Sequence, residues 1–202
     1  MTARILLARH AQSKDNLAGI LGGRRDSVLT PLGILQAQEA ARYLQQKGIR
    51  PIMVYSSTAL RAQQTSEIIT STLNTSTAML KRDLQERDMG ILTGMTKSEA
   101  LKVDTGGIII AGKRSFARMP KNGESFPELR ARAKRVLGSI IQTHDTGVIL
   151  VVTHCVTGLM IFAEFYGLDW EDTLKRFHFG NANLVWLDNS LRPQDAVCFQ
   201  PS

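Results

Sequence analysis

The chain has 202 residues, 43% of them hydrophobic, and a formal net charge of +7. This length suits one α/β domain with a modest insertion, and no window approaches the roughly 20 apolar residues of a membrane span. The positive charge favours an anionic partner. Because the basic residues are dispersed and lack an aromatic stacking platform, we expect a small phosphorylated substrate, no nucleic acid and no membrane.

Cysteine usage and the first residues bear on the compartment. Cys155 and Cys198 are too few for a disulfide framework and form no metal-ligand cluster. The apolar run after Arg4 is too short for a signal peptide. We therefore expect a cytoplasmic protein with reduced thiols and no metal, and leave open whether it forms a homodimer.

The first third of the chain alternates predicted strands and helices. A strand over residues 3–8 ends at Arg9 and His10. Thr30 and Pro31 form a helix start signal, with Thr at the N-cap and Pro at the first helical position. Further along, a strand is predicted over residues 52–55, a helix over 58–73 and a short strand over 78–80. The apolar face of the first long helix is expected to contain Leu32, Leu35, Ala40, Tyr43 and Leu44.

The middle of the chain loses this periodicity between residues 83 and 123, where several glycines interrupt it. We interpret residues 84–124 as an insertion that covers the active site of a single domain spanning 1–202. Ser125 and Glu128 then form a capping box that starts a long helix. This helix has apolar residues at helical spacing, from Leu129 to Ile141.

The last third supplies a second histidine at a strand end. Residues 147–153 form a continuous β-branched run, typical of a central parallel strand, and His154 follows it. Further strands are predicted over residues 183–187 and 196–199. This alternation predicts a doubly wound, three-layer α/β fold with a mostly parallel sheet and helices on both faces. Since ligands bind beyond the carboxyl ends of such strands, His10 and His154 are expected to share an anion site, unlike His144 and His178.

A series of motifs occurs in one order over residues 4–187. It comprises R-H-A from Arg9, D-x-x-L-T-x-x-G from Asp26, S-S-x-x-x-R-A-x-Q-T from Ser56, L-x-E-x-x-x-G from Leu84, G-E-S from Gly123 and V-V-T-H ending at His154. The series resembles that of the histidine phosphatase superfamily, the phosphoglycerate-mutase-like enzymes with an R-H-G signature. Ala11 departs from this signature, because the family usually has glycine there.

The resemblance implies catalysis through a covalent phosphohistidine, with no cofactor. His10 would be the nucleophile, and Glu86 would protonate the leaving oxygen and then activate water. Arginine suits the anion site because its planar fork of donors matches phosphate and stays charged. The catalytic set would be His10, Glu86, His154, Arg9 and Arg61, and the substrate-binding set would be Arg9, Asn16, Arg61, His154 and Cys155.

The short insertion favours the phosphatase branch, that is, a metal-independent phosphatase of the histidine acid type, because mutases of the family generally carry a longer insertion. A phosphoglycerate-mutase-type transfer and a non-catalytic phosphate-binding module remain alternatives. Family substrates include sugar phosphates, phosphoglycerates and α-ribazole phosphate. Residues 108–110, Phe116 and Met119 either line the mouth of the site or pack on the sheet. A second anionic group would meet Lys113, Arg114 or Arg118.

Overall fold

A central sheet organises the computed structural model, which describes residues 3–201. Within these residues the strands are β1 (Arg4–Arg9), β2 (Met53–Ser57), β3 (Met79–Lys81), β4 (Ile108–Ala111), β5 (Arg114–Ala117), β6 (Val148–Thr153), β7 (Leu184–Leu187) and β8 (Val197–Phe199). The large sheet has the order β3-β2-β6-β1-β7-β8. Its first four strands are parallel, and β7 and β8 are antiparallel to their neighbours. The predicted mostly parallel α/β sheet is confirmed.

Helices cover both faces of this sheet. They are α1 (Lys14–Ala18), α2 (Pro31–Gln46), α3 (Leu60–Leu73), α4 (Lys97–Ala100), α5 (Phe126–Thr143), α6 (Cys155–Tyr166) and α7 (Trp170–Arg176). The two predicted start signals are confirmed: Thr30 Oγ1 accepts from the Gly33 N–H at 3.0 Å, and Ser125 forms a capping box with Glu128. Among residues 3–201, no helix is long and apolar enough to cross a bilayer.

The two faces of the sheet have separate cores because side chains alternate along each strand. In β1, Ile5 and Leu7 belong to the cluster that includes α5 and α6, whereas Leu6 and Ala8 belong to the cluster that includes α2 and α3. In the same way β6 is buried on both faces. The carboxyl ends of the central strands β1 and β6 are therefore held by packed side chains on both faces of the sheet.

The predicted apolar face of α2 is wrong at its start. Leu32 and Leu35 are 46% and 53% exposed, whereas Gly33 and Ala37 face inward. The first turn packs directly on the loop after β1, where a Cβ on Gly33 would lie 2.1 Å from the Gln12 carbonyl oxygen. Only small residues fit this contact, so the leucines lie on the other side of the helix.

The predicted insertion contains α4 and an antiparallel hairpin formed by β4 and β5. Alternation along β4 buries Ile109 in the core cluster and leaves Ile108 and Ile110 38% and 62% exposed. Both interpretations of the apolar run are therefore partly right, because Ile109 packs inward and Ile108 lines the cavity described below. Met119, expected at the mouth of the site, is 54% exposed and lies outside that lining.

Candidate active site

The two histidines predicted to share a site lie side by side. β1 and β6 are parallel neighbours with Arg9 opposite Thr153, so the next residues, His10 and His154, leave the sheet at the same edge. Their ring centroids are 5.0 Å apart, and the two residues are 3% and 0% exposed. Strand pairing therefore fixes the distance between the imidazoles.

Hydrogen bonds define the tautomer of His10. Its Nδ1 lies 2.7 Å from the Ala11 carbonyl oxygen, which can only accept, so Nδ1 carries the proton. Its Nε2 accepts a hydrogen bond from Arg61 Nε at 3.2 Å. Burial, together with the charges of Arg9 and Arg61, lowers the pKa of His10 well below its usual range. The ring is therefore neutral at pH 7, with a lone pair at Nε2, the form that a nucleophile needs.

Arg61, near the start of α3, is buried and links three parts of the site. Its terminal nitrogens donate to the carbonyl oxygens of Arg25 and Gly23, both at 2.8 Å. One of them also lies 3.1 Å from His154 Nδ1, which accepts, while His154 Nε2 lies 2.8 Å from Ser57 Oγ. Burial and the Arg61 charge lower the pKa of His154 well below its usual range. A fixed cation thus contacts both imidazoles.

Arg9 and Asn16 offer further donors beside His10. Arg9 donates to the Phe179 carbonyl oxygen at 2.9 Å, and its buried Nε has no hydrogen-bond partner among the described residues. Asn16 is exposed, and its Oδ1 accepts from Ser13 N at 3.2 Å and from Asn181 Nδ2 at 3.0 Å. Because an anion accepts hydrogen bonds, it can contact only the amide N–H₂ of Asn16. Both side chains line the cavity that contains His10.

Glu86 lies in the same cavity lining, held by the start of α6. Its Oε1 accepts from Thr157 N at 3.1 Å, and its Oε2 accepts from Val156 N at 3.2 Å. Helix N-termini have unpaired N–H groups and favour negative charge, so this contact fixes the carboxylate. Cys155, the first residue of α6, also lines the cavity, and burial raises the pKa of its thiol.

The cavity has a volume of about 360 Å³, and its outer wall comes from the predicted insertion. This wall includes Ile108, Phe116, Leu101 and Lys97. The floor around His10 is therefore polar and charged, whereas much of the outer wall is apolar. His154 contacts Arg61 but lies outside this lining. Such a cavity suits a ligand with one anionic end and a partly apolar body.

Of the three cations considered for a second anionic group, Arg114 is the one that lines the cavity. It donates to the carbonyl oxygens of Leu174 and Phe177, both at 2.8 Å, and its buried Nη1 has no hydrogen-bond partner among the described residues. The expectation is wrong for Arg118, which lies outside the lining and pairs with Glu171 at 3.2 Å. It is also wrong for Lys113, which lies at the exposed hairpin turn, outside the lining.

Several residues of the site had no predicted role. Ser57 contacts His154 and Thr157 contacts Glu86. Both occupy positions with a local sequence signal, a strand end for Ser57 and the first turn of a helix for Thr157. Thr65 Oγ1 accepts from Ala11 N at 3.1 Å and donates to the Arg61 carbonyl. His178, which was not expected at the anion site, lines the cavity from a loop that shows no local pattern.

An imidazole lone pair beside the buried guanidinium of Arg61 and the half-buried one of Arg9 suits reactions in which a phosphoryl group moves, because their transition states spread negative charge over several oxygens. The fold and site thus define an α/β enzyme of phosphoryl chemistry. The chain belongs to the histidine phosphatase superfamily (branch 1), whose family model matches residues 5–196.

Its relatives carry two kinds of names. The chain is 33% identical over 184 residues to a 2,3-bisphosphoglycerate-dependent phosphoglycerate mutase of Bradyrhizobium diazoefficiens, covering 87% of each chain. It is 36% identical over 135 residues to the mutase of Nitrobacter winogradskyi, a match that spans 65% of each chain. Among solved structures, phosphoserine phosphatase of Entamoeba histolytica in complex with 3-phosphoglyceric acid has the same fold, with a TM-score of 0.76, 23% identity, and coverage of 91% of this chain and 89% of that one.

Proposed function

We propose that this chain is a phosphomonoester hydrolase that acts on a small phosphorylated metabolite through a phosphohistidine, without a metal. The observation that supports this most is the neutral Nε2 of His10, buried and facing Arg61. A buried imidazole beside a guanidinium has no structural advantage over an apolar pair, since each loses solvation. The arrangement does suit an anion that enters between them.

In the first step, the phosphoryl group displaces the contact between Arg61 Nε and His10 Nε2. The nitrogen lone pair then forms the N–P bond while the bond from phosphorus to the leaving oxygen breaks. Arg9 and Arg61 donate to the phosphoryl oxygens, and His154 holds Arg61 in place by accepting at Nδ1. The protonated carboxyl of Glu86 gives its proton to the leaving oxygen.

In the second step, water attacks the phosphohistidine. Glu86, now a carboxylate, takes a proton from the water while the new O–P bond forms and the N–P bond breaks. Inorganic phosphate leaves, and the His10 lone pair is restored. The backbone N–H groups of Val156 and Thr157 hold the Glu86 side chain in position for this step.

Mutase-type transfer is the second candidate, and two observations favour it. The curated relatives are named phosphoglycerate mutases. In addition, Arg114 lines the cavity, where its positive charge would attract the carboxylate or second phosphate of a phosphoglycerate. The short insertion and the partly apolar outer wall favour the hydrolase.

We also propose a cytoplasmic location, which agrees with two free cysteines.

The decisive experiment follows the fate of the phosphoryl group. Incubation with 3-phosphoglycerate and 2,3-bisphosphoglycerate is expected to release free phosphate, whereas formation of the 2-phospho isomer would support the mutase.

His10→Asn should abolish hydrolysis of p-nitrophenyl phosphate and the formation of the acid-labile phosphoenzyme. His144→Asn is the matched control, because His144 contacts Tyr55 and lies outside the cavity lining. Full activity in the His10 variant would refute the proposal, and an inactive wild type would favour the binding module.

A further inference from the structure

A buried ion pair lies behind the segment that carries Glu86. Arg132 of α5 is 5% exposed and forms a bidentate pair with Glu124, with Nε to Oε1 at 2.8 Å and Nη2 to Oε2 at 2.7 Å. Neither side chain belongs to the cavity lining. Glu124 lies within the G-E-S motif, and the proposed mechanism uses neither Glu124 nor Arg132.

The remaining donors of Arg132 all reach the backbone beside Glu86. Nη1 donates to the carbonyl oxygens of Asp83 and Gln85 at 2.7 and 2.8 Å, and Nη2 reaches the Glu86 carbonyl oxygen at 3.4 Å. With the two bonds to Glu124, the five N–H groups of the guanidinium meet five acceptors. This segment runs from a 3₁₀ turn into extended backbone, so helix or sheet bonds do not fix it.

Glu124 holds the other side of the same segment. Its Oε2 accepts from Asp88 N at 3.3 Å, and its carbonyl oxygen accepts from Arg87 Nε at 2.7 Å. Arg24 lies 3.6 Å from the same carboxylate. The backbone on both sides of Glu86 is therefore hydrogen-bonded to one buried ion pair, and the Glu86 carboxylate is hydrogen-bonded to the start of α6.

We propose that Arg132 and Glu124 are positioning residues that hold Glu86 where it can exchange a proton with the leaving oxygen. The inference rests on the proposed role of Glu86. Proton transfer needs heavy atoms within about 3 Å, and a displacement of about 1 Å costs on the order of 10²-fold in rate. Stability alone explains the pair poorly, because apolar residues of similar size often replace buried ion pairs without loss.

The test exploits the dependence of the reaction on its leaving group. p-Nitrophenolate leaves without a proton, whereas the alkoxide of glycerol phosphate needs one. In Arg132→Lys, whose ammonium has three donors for five acceptors, kcat/KM for glycerol phosphate should fall about 10²-fold, as expected for a displaced proton donor. For p-nitrophenyl phosphate it should stay close to that of the unaltered protein. Glu124→Gln, which keeps the size of the side chain, should show the same selective loss.

Arg130→Lys is the matched control, since Arg130 lies on the same helix and pairs with Glu164 at the surface. It should leave both kcat/KM values unchanged. Equal losses on the two substrates in the Arg132 and Glu124 variants, or no loss on either, would overturn the inference, because a purely structural pair produces one of these patterns.

Glu86→Gln separates this inference from the proposed function. If Glu86→Gln shows no selective loss with glycerol phosphate, then Glu86 is not the proton donor and the proposed function fails at that residue. If it does, then Arg132→Lys combined with Glu86→Gln should lose no more than Glu86→Gln alone, because both changes remove one proton transfer. Additive losses in the double variant would refute positioning while leaving the role of Glu86 intact.

Discussion

Replacing Arg61 with lysine keeps a positive charge at the centre of the site and removes the planar fork. Arg61 makes hydrogen bonds to the Gly23 and Arg25 carbonyls and to both imidazoles. Lysine has one nitrogen and cannot span them. Leaving the buried Gly23 carbonyl and the part-buried Arg25 carbonyl without partners costs about 1–3 kcal/mol of unfolding free energy, or about 2–12 °C in Tm for a chain of this size.

The catalytic effect of Arg61→Lys is expected to be separate and larger. Loss of one fixed donor to a developing oxyanion lowers the rate by about 10²–10³-fold. We expect kcat/KM for p-nitrophenyl phosphate, measured well below Tm, to fall by this factor. Inhibition by orthovanadate should weaken by a similar factor, because vanadate adopts the geometry of the transition state.

Arg42→Lys is the control, since Arg42 is exposed on α2. It should change neither Tm nor kcat/KM. An Arg61→Lys protein that keeps the rate and vanadate affinity of the unaltered protein would show that charge alone suffices, and it would refute the argument from hydrogen-bond geometry.

Three further outcomes follow from the structure. Burial lowers the pKa of His10 and His154, so below about pH 6.5 the unfolded chain binds more protons than the folded protein. As the pH is lowered below this value, the free energy of unfolding should decrease by up to about 1.4 kcal/mol per pH unit for each histidine. Denaturant unfolding measures this slope, which should be smaller in His154→Gln. Gly158→Ala should destabilise the fold by about 1–3 kcal/mol, because its Cβ would lie 2.3 Å from the Phe179 ring, whereas Gly138→Ala, with open space around it, should stabilise by about 0.5–1 kcal/mol; thermal unfolding of both variants checks this. EDTA should leave hydrolysis of p-nitrophenyl phosphate intact, since residues 3–201 group no three potential metal ligands and arginines supply the positive charge; a large loss would contradict the mechanism.

The features predicted correctly from the sequence depend on local signals. Thr30 with Pro31 and Ser125 with Glu128 mark helix starts through contacts within four residues, and their geometry is as expected. The pairing of His10 with His154 was also predictable, because parallel strands bring their carboxyl ends to one edge. Roles for the site residues stay predictions until tested by substitution.

The features that were missed depend on contacts distant in the chain. Leu32 resembles a core residue in sequence, yet α2 meets the Gln12 loop at this turn and only a small side chain fits. Arg114 and Arg118 are similar in sequence context. Arg114 donates to backbone carbonyl oxygens in α7 and just after it, whereas Arg118 pairs with the Glu171 carboxylate. No local pattern distinguishes these two arginines.

Pairing of β1 with β6 has a consequence for how such a protein can diverge. His10 and His154 follow two adjacent strands at the same register position, so the backbone pairing of those strands sets their spacing. The outer wall, in contrast, comes from α4, Leu101 and a separate two-stranded sheet over residues 108–117. Substitutions in that outer wall can thus change substrate specificity during evolution, while the arrangement of the reacting groups stays the same.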